Sequence, residues 1–528
     1  MNAQLPPSNP ETTARAAKPA PVAPAPKARR GQGWFLALAA GAGAVAGMGH
    51  PPFSALYLAL PALAVVFYVF RKAKTAKAAA LRLWAAGLGY FGLSLAWIVN
   101  PFFVDPLRHG WMAPFALVLM AGGLALFWGL AGGVAHRLGA TKASRALALA
   151  ALLTLAEMSR AFVFTGFPWA TLGHVFIGWA PMQLASLGGA GLLTLIALLI
   201  AASWGGAVAA RRPQKALGGA LVLALAFGFG LWRKADTAAP ASTGIVRLVQ
   251  PAIPQSLKWD ADQAEITYNS LLALSAAAPG PLGPPDVTIW PETSFPYFLD
   301  GSEPLLAQVK SAVPGQLFIG APRSHWTGEV EGVSNSFAEI GQDGAPLQIY
   351  DKHHLVPFGE YVPFAELLGA LGLRAMVEQG SFTPGPGPEL MAMGALGQAL
   401  PLICYEAIFP GDILSAPARP DLLLQVTNDA WFGTLQGPYQ HLAQARLRAV
   451  ETGLPFLRAA NTGVSALIDP QGRVLAQLAL GERGTLDVAL PPPAAVTAYW
   501  KYGDLPIWMI CAALAGLATL RRKAAKVD

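Results

Sequence analysis

The sequence predicts two unlike parts in one chain: a multi-span α-helical membrane domain of about eight transmembrane helices, and an α/β domain of sheets covered by helices. Three observations carry this. Hydrophobic residues make up 54% of the 528 positions and charged residues only 13%, a balance that places much of the chain in lipid. Seven apolar runs crowd the first 235 residues, and an eighth lies near 505–520. Between them, from about 240 to 500, the texture changes to short β-type runs punctuated by turn signals.

Residues 1–32 are rich in Pro and Ala with scattered bases, Lys27, Arg29 and Arg30 among them, and read as a disordered cytoplasmic tail. The run from Trp34 to Met48 is short and rich in small residues, which suggests a signal peptide. The polar stretch before it is long for a secretory leader and more spans follow, so it reads as an uncleaved first helix. Further runs lie at 54–70, 81–99, 113–135, 145–163, 184–209 and 216–232. Spans 1–7 then fill 33–235, span 8 occupies 505–521, and 522–528 form a second cytoplasmic tail. The segment Phe162 to Trp179 is aromatic and broken by Pro168, and reads as a loop at the membrane–water interface.

The bases set an orientation. Arg71, Lys72, Lys74, Lys77 and Arg82 follow the second run, Arg137, Lys142 and Arg145 the fourth, Arg211, Arg212 and Lys215 the sixth. Arg521, Arg522, Lys523 and Lys526 follow the last, whereas the loops after odd-numbered runs hold little beyond Arg108 and Arg160. The positive-inside bias puts both termini in the cytoplasm and 240–500 on the outer side. Arg233 and Lys234 sit on the wrong side for this rule, which long translocated domains tolerate. The net charge of +7 does not point to nucleic acid, because the bases cluster at the ends of apolar runs and not on one polar face.

In the soluble segment, strands are expected at Gly244–Gln250, Asp286–Trp290, Gln316–Gly320, Ser334–Ile340, Leu347–Tyr350, Ala399–Cys404, Leu422–Val426 and Phe456–Ile468. Ile340-Gly341-Gln342-Asp343-Gly344 and Asp469-Pro470-Gln471-Gly472-Arg473 mark turns between them. Leu442, Ala445, Leu447 and Val450 suggest a helix between Gln440 and Thr452. No internal repeat of 20–50 residues is evident, so one layered α/β domain is expected.

Three polar residues stand where strands end: Glu292, Lys352 and Cys404. Only two cysteines exist, and Cys511 lies in the last apolar run, so neither a disulfide nor a cysteine metal cluster is indicated. Each residue has a plain alternative: a free cysteine is most often a small buried hydrophobe, Glu292 could cap a helix, and Lys352 could pair with Asp351. Together they suit acyl chemistry. A thiol of ordinary pKa about 8.5 needs a base to become a nucleophile. A carboxylate whose pKa is raised by a dry pocket can accept that proton. A lysine ammonium can steady the oxygen that turns negative when a carbonyl is attacked.

The segments Ile289-Trp290-Pro291-Glu292-Thr293, Tyr350 to Pro363 (YDKHHLVPFGEYVP) and Ile403-Cys404-Tyr405-Glu406 resemble the nitrilase superfamily. That family carries a Glu–Lys–Cys triad in this chain order on an αββα sandwich. The longer match, with Thr427 to Gly433 (TNDAWFG) and Arg446 to Asn461 (RLRAVETGLPFLRAAN), is similar to its membrane branch, the apolipoprotein N-acyltransferases. The resemblance implies a nitrilase-like catalytic domain at 240–500, eight spans, and the periplasmic side of a bacterial inner membrane.

It also implies roles. Glu292 is the general base, Cys404 the nucleophile, Lys352 the oxyanion group, and Glu360 a second acid that positions Lys352 or relays protons. Trp259 and Tyr405 match positions of substrate contact, and Trp431, Phe432 and Phe358 are candidate apolar walls. Glu406 either holds the loop after the nucleophile or is plain surface. The implied reaction is ping-pong: Cys404 takes an acyl chain from a phospholipid such as phosphatidylethanolamine. The thioester then acylates the α-amine of an N-terminal S-diacylglyceryl cysteine on an apolipoprotein. No cofactor is implied. His353 and His354 lack a third ligand at useful spacing, so no metal is expected. A monomer is expected.

Phe364 to Met376 (FAELLGALGLRAM) is unusually apolar and reads as a membrane-dipping arm or a core helix. Two rivals to acyl transfer are a membrane-tethered amidase or nitrilase, which would not require the spans, and a transporter or scaffold. Against the latter, the apolar runs carry few ionisable residues, Glu157 being one.

Overall fold

The computed structural model describes residues 28–235, 244–258, 260–327, 330–365 and 382–524. Among them, helices occupy the eight apolar runs: α1 (Ala28–Gly47), α2 (Leu56–Arg71), α3 (Ala76–Ser94), α4 (Ala113–Leu138), α5 (Lys142–Ser159), α6 (Ala185–Ala210), α7 (Leu217–Ala235) and, at the far end, Leu505–Ala524. The first begins at Ala28, inside the expected tail.

Among the described residues, three helical stretches are long and apolar enough to cross a bilayer, Pro106–Leu138, Ala180–Ala210 and Pro213–Lys234; the pair Ala76–Ser94 and Ala96–Phe103, bent by 48°, makes up to four. The expected count of about eight is not reached by this measure, for physical reasons. Helix α2 has 16 residues, about 24 Å of rise against a hydrocarbon core of about 30 Å. Helix α5 carries Lys142, Arg145 and Glu157. Small residues let α1 and α3 cross closely: a Cβ on Gly43 would stand 1.9 Å from Ala86 O, and one on Gly89 1.9 Å from Ala40 O.

Much of the aromatic segment after α5 is packed inside the protein. Phe162, Val163 and Phe164 are exposed, but Pro168 to Ile177 are buried. Arg160 draws the segment inward by donating to Phe167 O (3.0 Å) and Trp169 O, and Leu172 N donates to Glu157 Oε2 (3.2 Å). Glu157 itself pairs with Arg160 (2.8 Å) and accepts from Trp128 Nε1 (2.6 Å), so this buried acid is an internal tie. Arg233 donates to Gln183 and its carbonyl accepts from Gln471 Nε2 at 3.2 Å, so this base is held by contacts that include the following domain.

The second half folds as two six-stranded sheets. One has the order β12-β1-β2-β3-β4-β5 and the other β11-β10-β9-β8-β7-β6. Strands β1 (Ile245–Gln250), β2 (Val287–Ile289), β3 (Gln316–Thr327), β4 (Val330–Ile340), β5 (Pro346–Asp351), β7 (Gln398–Ile403) and β8 (Leu422–Thr427) fall on the expected runs. The run Phe456–Ile468 is two antiparallel strands, β9 (Phe456–Ala460) and β10 (Ala466–Ile468), joined by a turn at Asn461-Thr462-Gly463. Strands β6 (Met391–Ala392), β11 (Val474–Gln477) and β12 (Gly484–Ala489) had no strong apolar alternation to announce them.

Side-chain alternation along each strand makes the layers. Val246, Leu248, Ile289 and Phe318 of the first sheet meet Ile403, Leu424, Val426 and Leu457 of the second. Val249, Leu317 and Ile319 point the other way, onto α8 (Ala261–Ser275) and α9 (Glu303–Ala312). Leu400, Leu402 and Leu423 point onto α10 (Gly437–Thr452), the helix expected there. The result is helix, sheet, sheet, helix. A further buried cluster crosses between the parts: Tyr405, Ile408, Phe409, Leu447 and Val450 pack with Tyr90, Trp169, Leu172 and Phe176.

Candidate active site

The triad positions sit at the ends of strands from both sheets. Glu292 follows β2 by three residues and Lys352 is the first residue after β5, both on the first sheet; Cys404 is the first after β7, on the second. Lys352 Nζ lies 3.3 Å from Glu292 Oε1 and 2.8 Å from Glu360 Oε1. Glu292 also accepts from Asn335 Nδ2 at Oε1 (2.8 Å) and from the backbone N–H of Asn428 at Oε2 (2.8 Å). Glu360 is fixed in turn by Val356 N on Oε2, at 2.8 Å. Glu292, Lys352 and Cys404 are all buried.

Three residues of these loops have left-handed backbone. Cys404 has φ 53°, Thr293 beside Glu292 has φ 41°, and Phe358 has φ 64°, a region L-residues rarely occupy. Such conformations persist only where the surroundings over-determine them.

The electrostatics divide the groups. Burial pushes the Cys404 thiol well above its ordinary value and the Glu292 carboxylate adds to this, against the pull of Lys352 and a hydrogen bond with Thr427. Burial opposes the charge of Lys352, but Glu360, Glu292 and Cys404 together hold it well above the usual lysine value. For Glu292 the expectation of a raised pKa is reversed. Burial alone would raise it, yet Lys352, Lys258, Asn335 and Asn428 outweigh burial and bring it below the usual carboxylate value. The resting site therefore holds a neutral thiol, an ionised carboxylate and an ammonium. Proton transfer from thiol to carboxylate is uphill in this state, and the ammonium beside them can balance negative charge that develops nearby.

Behind Cys404 lies a buried polar network. Gln425 Nε2 donates to Cys404 O (2.9 Å), and His441 Nε2 is 3.2 Å from the same oxygen. Asp429 binds His441 Nδ1 (2.9 Å) and Arg458 (2.6 Å), and Arg458 Nε donates to Gln425 Oε1 (2.9 Å). Sequence reasoning missed this network, together with Asn335, Asn428 and Lys258. Asn428 and Asp429 lie inside the quoted TNDAWFG stretch, and that was their only signal.

The remaining expected residues differ in placement. Glu406 is fully buried; it accepts from Ile403 N (2.6 Å), His353 N (2.8 Å), His354 N (3.2 Å) and Tyr350 Oη (2.9 Å). Its carboxylate thus ties the loop after Lys352 to the loop after Cys404. Tyr405 turns toward the membrane helices: its hydroxyl donates to Gly166 O (3.1 Å) and its ring meets Phe409 at 4.9 Å between centroids. Phe432 packs on Trp97 (4.8 Å between centroids), while Trp431 and Phe358 are exposed. Trp259 lies outside the described residues, as does most of the apolar segment 364–376, including Leu368 and Leu371. The ring nitrogens of His353 and His354 face Glu406, Asp412 and Tyr350.

Comparison with known proteins adds the following. Residues 42–203 match the family described as apolipoprotein N-acyltransferase N-terminal domain, and residues 245–502 match carbon-nitrogen hydrolase. An apolipoprotein N-acyltransferase of Caulobacter vibrioides is 39% identical over 93% of this chain and 95% of its own length. One from Rhodopseudomonas palustris is 38% identical over 93% of this chain and 96% of its own length. Among solved structures, an amidase from Nesterenkonia sp. AN1 is 20% identical with a TM-score of 0.34, covering 51% of this chain and 97% of the amidase.

Proposed function

The chain belongs to the apolipoprotein N-acyltransferase family, and on that premise we propose that it moves a fatty acyl chain from a membrane phospholipid, through a thioester on Cys404, to the α-amine of an N-terminal S-diacylglyceryl cysteine of a lipoprotein. The observation that carries this reading is the position of the nucleophile. Cys404 lies within the fields of Glu292 and Lys352, and its next neighbour, Tyr405, is built into the buried cluster of the membrane helices. A thiol so placed suits a donor that never leaves the bilayer, whereas hydrolysis of a small soluble amide would not need it.

The first half-reaction follows from the groups present. The Cys404 sulfur attacks the ester carbonyl as its proton passes to Glu292, Lys352 faces the oxyanion, and Glu292 returns the proton to the departing lysophospholipid oxygen. Phe432, packed against the buried cluster that includes Cys404, forms an apolar wall that keeps water from the thioester. We assign the membrane part to 33–235 and 505–521, with eight passes including the shorter helices, and the catalytic part to 240–500 on the periplasmic side. Phosphatidylethanolamine is the donor we favour, and a monomer the functional unit.

Intact mass of the purified protein in phospholipid tests this. A hydroxylamine-sensitive gain of one acyl chain is expected on the wild type and not on Cys404→Ser or Glu292→Gln, discharged by a diacylglyceryl peptide with a free N-terminus. No adduct in any phospholipid, with turnover of small amides instead, would refute it.

A further inference from the structure

Aminolysis of a thioester differs from hydrolysis by one proton. Water enters neutral, but an α-amine of ordinary pKa about 7.7–8.0 enters largely as an ammonium at neutral pH. Two protons must then leave that nitrogen, one before attack and one as the amide forms. Glu292 can carry the second to the departing Cys404 sulfur. The first needs another acceptor.

Resting on the acyl-transfer reading above, we propose that Lys258 is that acceptor, a second proton-transfer residue that takes the proton of the incoming α-ammonium. Lys258 follows the short 3-10 turn Gln255–Leu257 between β1 and α8. The turn is pinned to the second sheet, since Asn428 Nδ2 donates to Gln255 Oε1 (2.6 Å) and Ile253 N donates to Asn461 Oδ1 (2.9 Å). From there Lys258 Nζ donates to the carbonyl oxygen of Glu292 (3.3 Å) and to Thr293 Oγ1. The amine therefore touches the strained loop that carries the base, within the fields of Glu292, Cys404, Lys352 and Glu360.

The two lysines of the site are held oppositely. Lys352 is locked as a cation by Glu360 and Glu292. Lys258 is lowered to about 8, by burial first, with the neighbouring Lys352 acting in the same sense and Glu292, Cys404 and Glu360 against it. That value matches an α-amine, so a proton passes between them with little difference in free energy. The step balances. Neutral Lys258 takes one proton from the α-ammonium, the freed amine forms the C–N bond, and the C–S bond breaks. The second N–H proton passes through Glu292 to the Cys404 thiolate, and Lys258 returns its proton to water.

The test separates the two half-reactions. Lys258→Arg keeps a positive charge and donors at this position but gives no neutral amine at any relevant pH; Lys258→Met removes both. Acyl-enzyme is formed from phospholipid, then discharged in a single turnover by a diacylglyceryl peptide or by hydroxylamine, which arrives uncharged at neutral pH. The expected result is a loss of at least about tenfold in discharge by the peptide for both variants, with less than about threefold change for hydroxylamine. Wild-type peptide discharge by Lys258→Arg would overturn the proposal, and so would equal losses with both nucleophiles, which mean positioning only. Should Lys258→Met fail to fold, Lys258→Arg decides. Absence of acyl-enzyme on the wild type would overturn the acyl-transfer reading itself, and this step with it.

Discussion

The ammonium of Lys352 stands 2.8 Å from Glu360 Oε1 but 3.3 Å from Glu292 Oε1, so the lysine is anchored by the second acid and shared with the first. In Glu360→Gln the ammonium loses its tighter ionic partner and shifts toward Glu292, drawing on the carboxylate meant for the thiol. A charged hydrogen bond of about 1.5–3 kcal/mol is at stake, so acyl loading of Cys404 should slow by about 10- to 100-fold. Loading kinetics with a control for folding would show it, and an unchanged rate would remove Glu360 from the mechanism.

Glu406 accepts hydrogen bonds from Ile403, His353, His354 and Tyr350 with no solvent exposure. Glu406→Gln puts an amide N–H against at least one of these donors. A loss of about 3–5 kcal/mol is expected, as for breaking a buried charged network. The drop would appear as a lowered melting temperature in detergent. A variant melting like the wild type would mean the loops are held by other contacts.

Asp429 gives an acid-side prediction. Burial favours its neutral form, but Arg458 and His441 hold its carboxyl well below the ordinary value of 3.8. Its folded pKa is depressed, so its contribution is fully present above the unfolded value of about 3.9 and drains as the pH falls toward the folded one. Asp429→Asn leaves Arg458 and His441 without their carboxylate and should cost about 3–5 kcal/mol at neutral pH. The gap from wild type should narrow below about pH 4. Melting curves across that range check it, and a gap independent of pH would contradict it.

His353 gives the alkaline counterpart. Burial lowers its pKa, but Asp412 and Glu406 more than compensate and raise it from 6.5 to about 9. With the folded pKa raised, its stabilising contribution is complete below about 6.5 and disappears as the pH climbs through about 9. Wild-type stability should therefore decline between those values, and His353→Gln should flatten the decline. Parallel curves for the two proteins would count against it.

The residues legible in the sequence were those at strand ends. Glu292, Lys352 and Cys404 each close an apolar run, so pattern and chemistry coincide. Asn335 lies within β4 between Ser334 and Ser336, a polar stretch that singles out no one residue, and only the sheet brings its amide to Glu292. Lys258 sits in a proline-flanked turn where a solvated lysine is the usual outcome. Strand β12 escaped because Gly484–Ala489 is half-buried along most of its length and carries Asp487, which pairs with Arg247 of β1 at 2.7 Å. The reversed pKa of Glu292 was out of reach for a different reason. Burial can be guessed from a sequence, but the placement of two lysines around one carboxylate cannot.

The buried cluster that joins Tyr405, Ile408, Phe409, Leu447 and Val450 to Tyr90, Trp169 and Phe176 has a consequence for the order of synthesis. The helices leave the ribosome first and enter the bilayer before residue 400 exists. The segment carrying the nucleophile then condenses against a surface already in place, as a casting takes the form of its mould. Made alone, residues 244–502 would lay that apolar face open to water, where exposed patches of this kind favour aggregation. A severed catalytic half could keep every residue of its triad and still lack the wall against which the Cys404 loop sets.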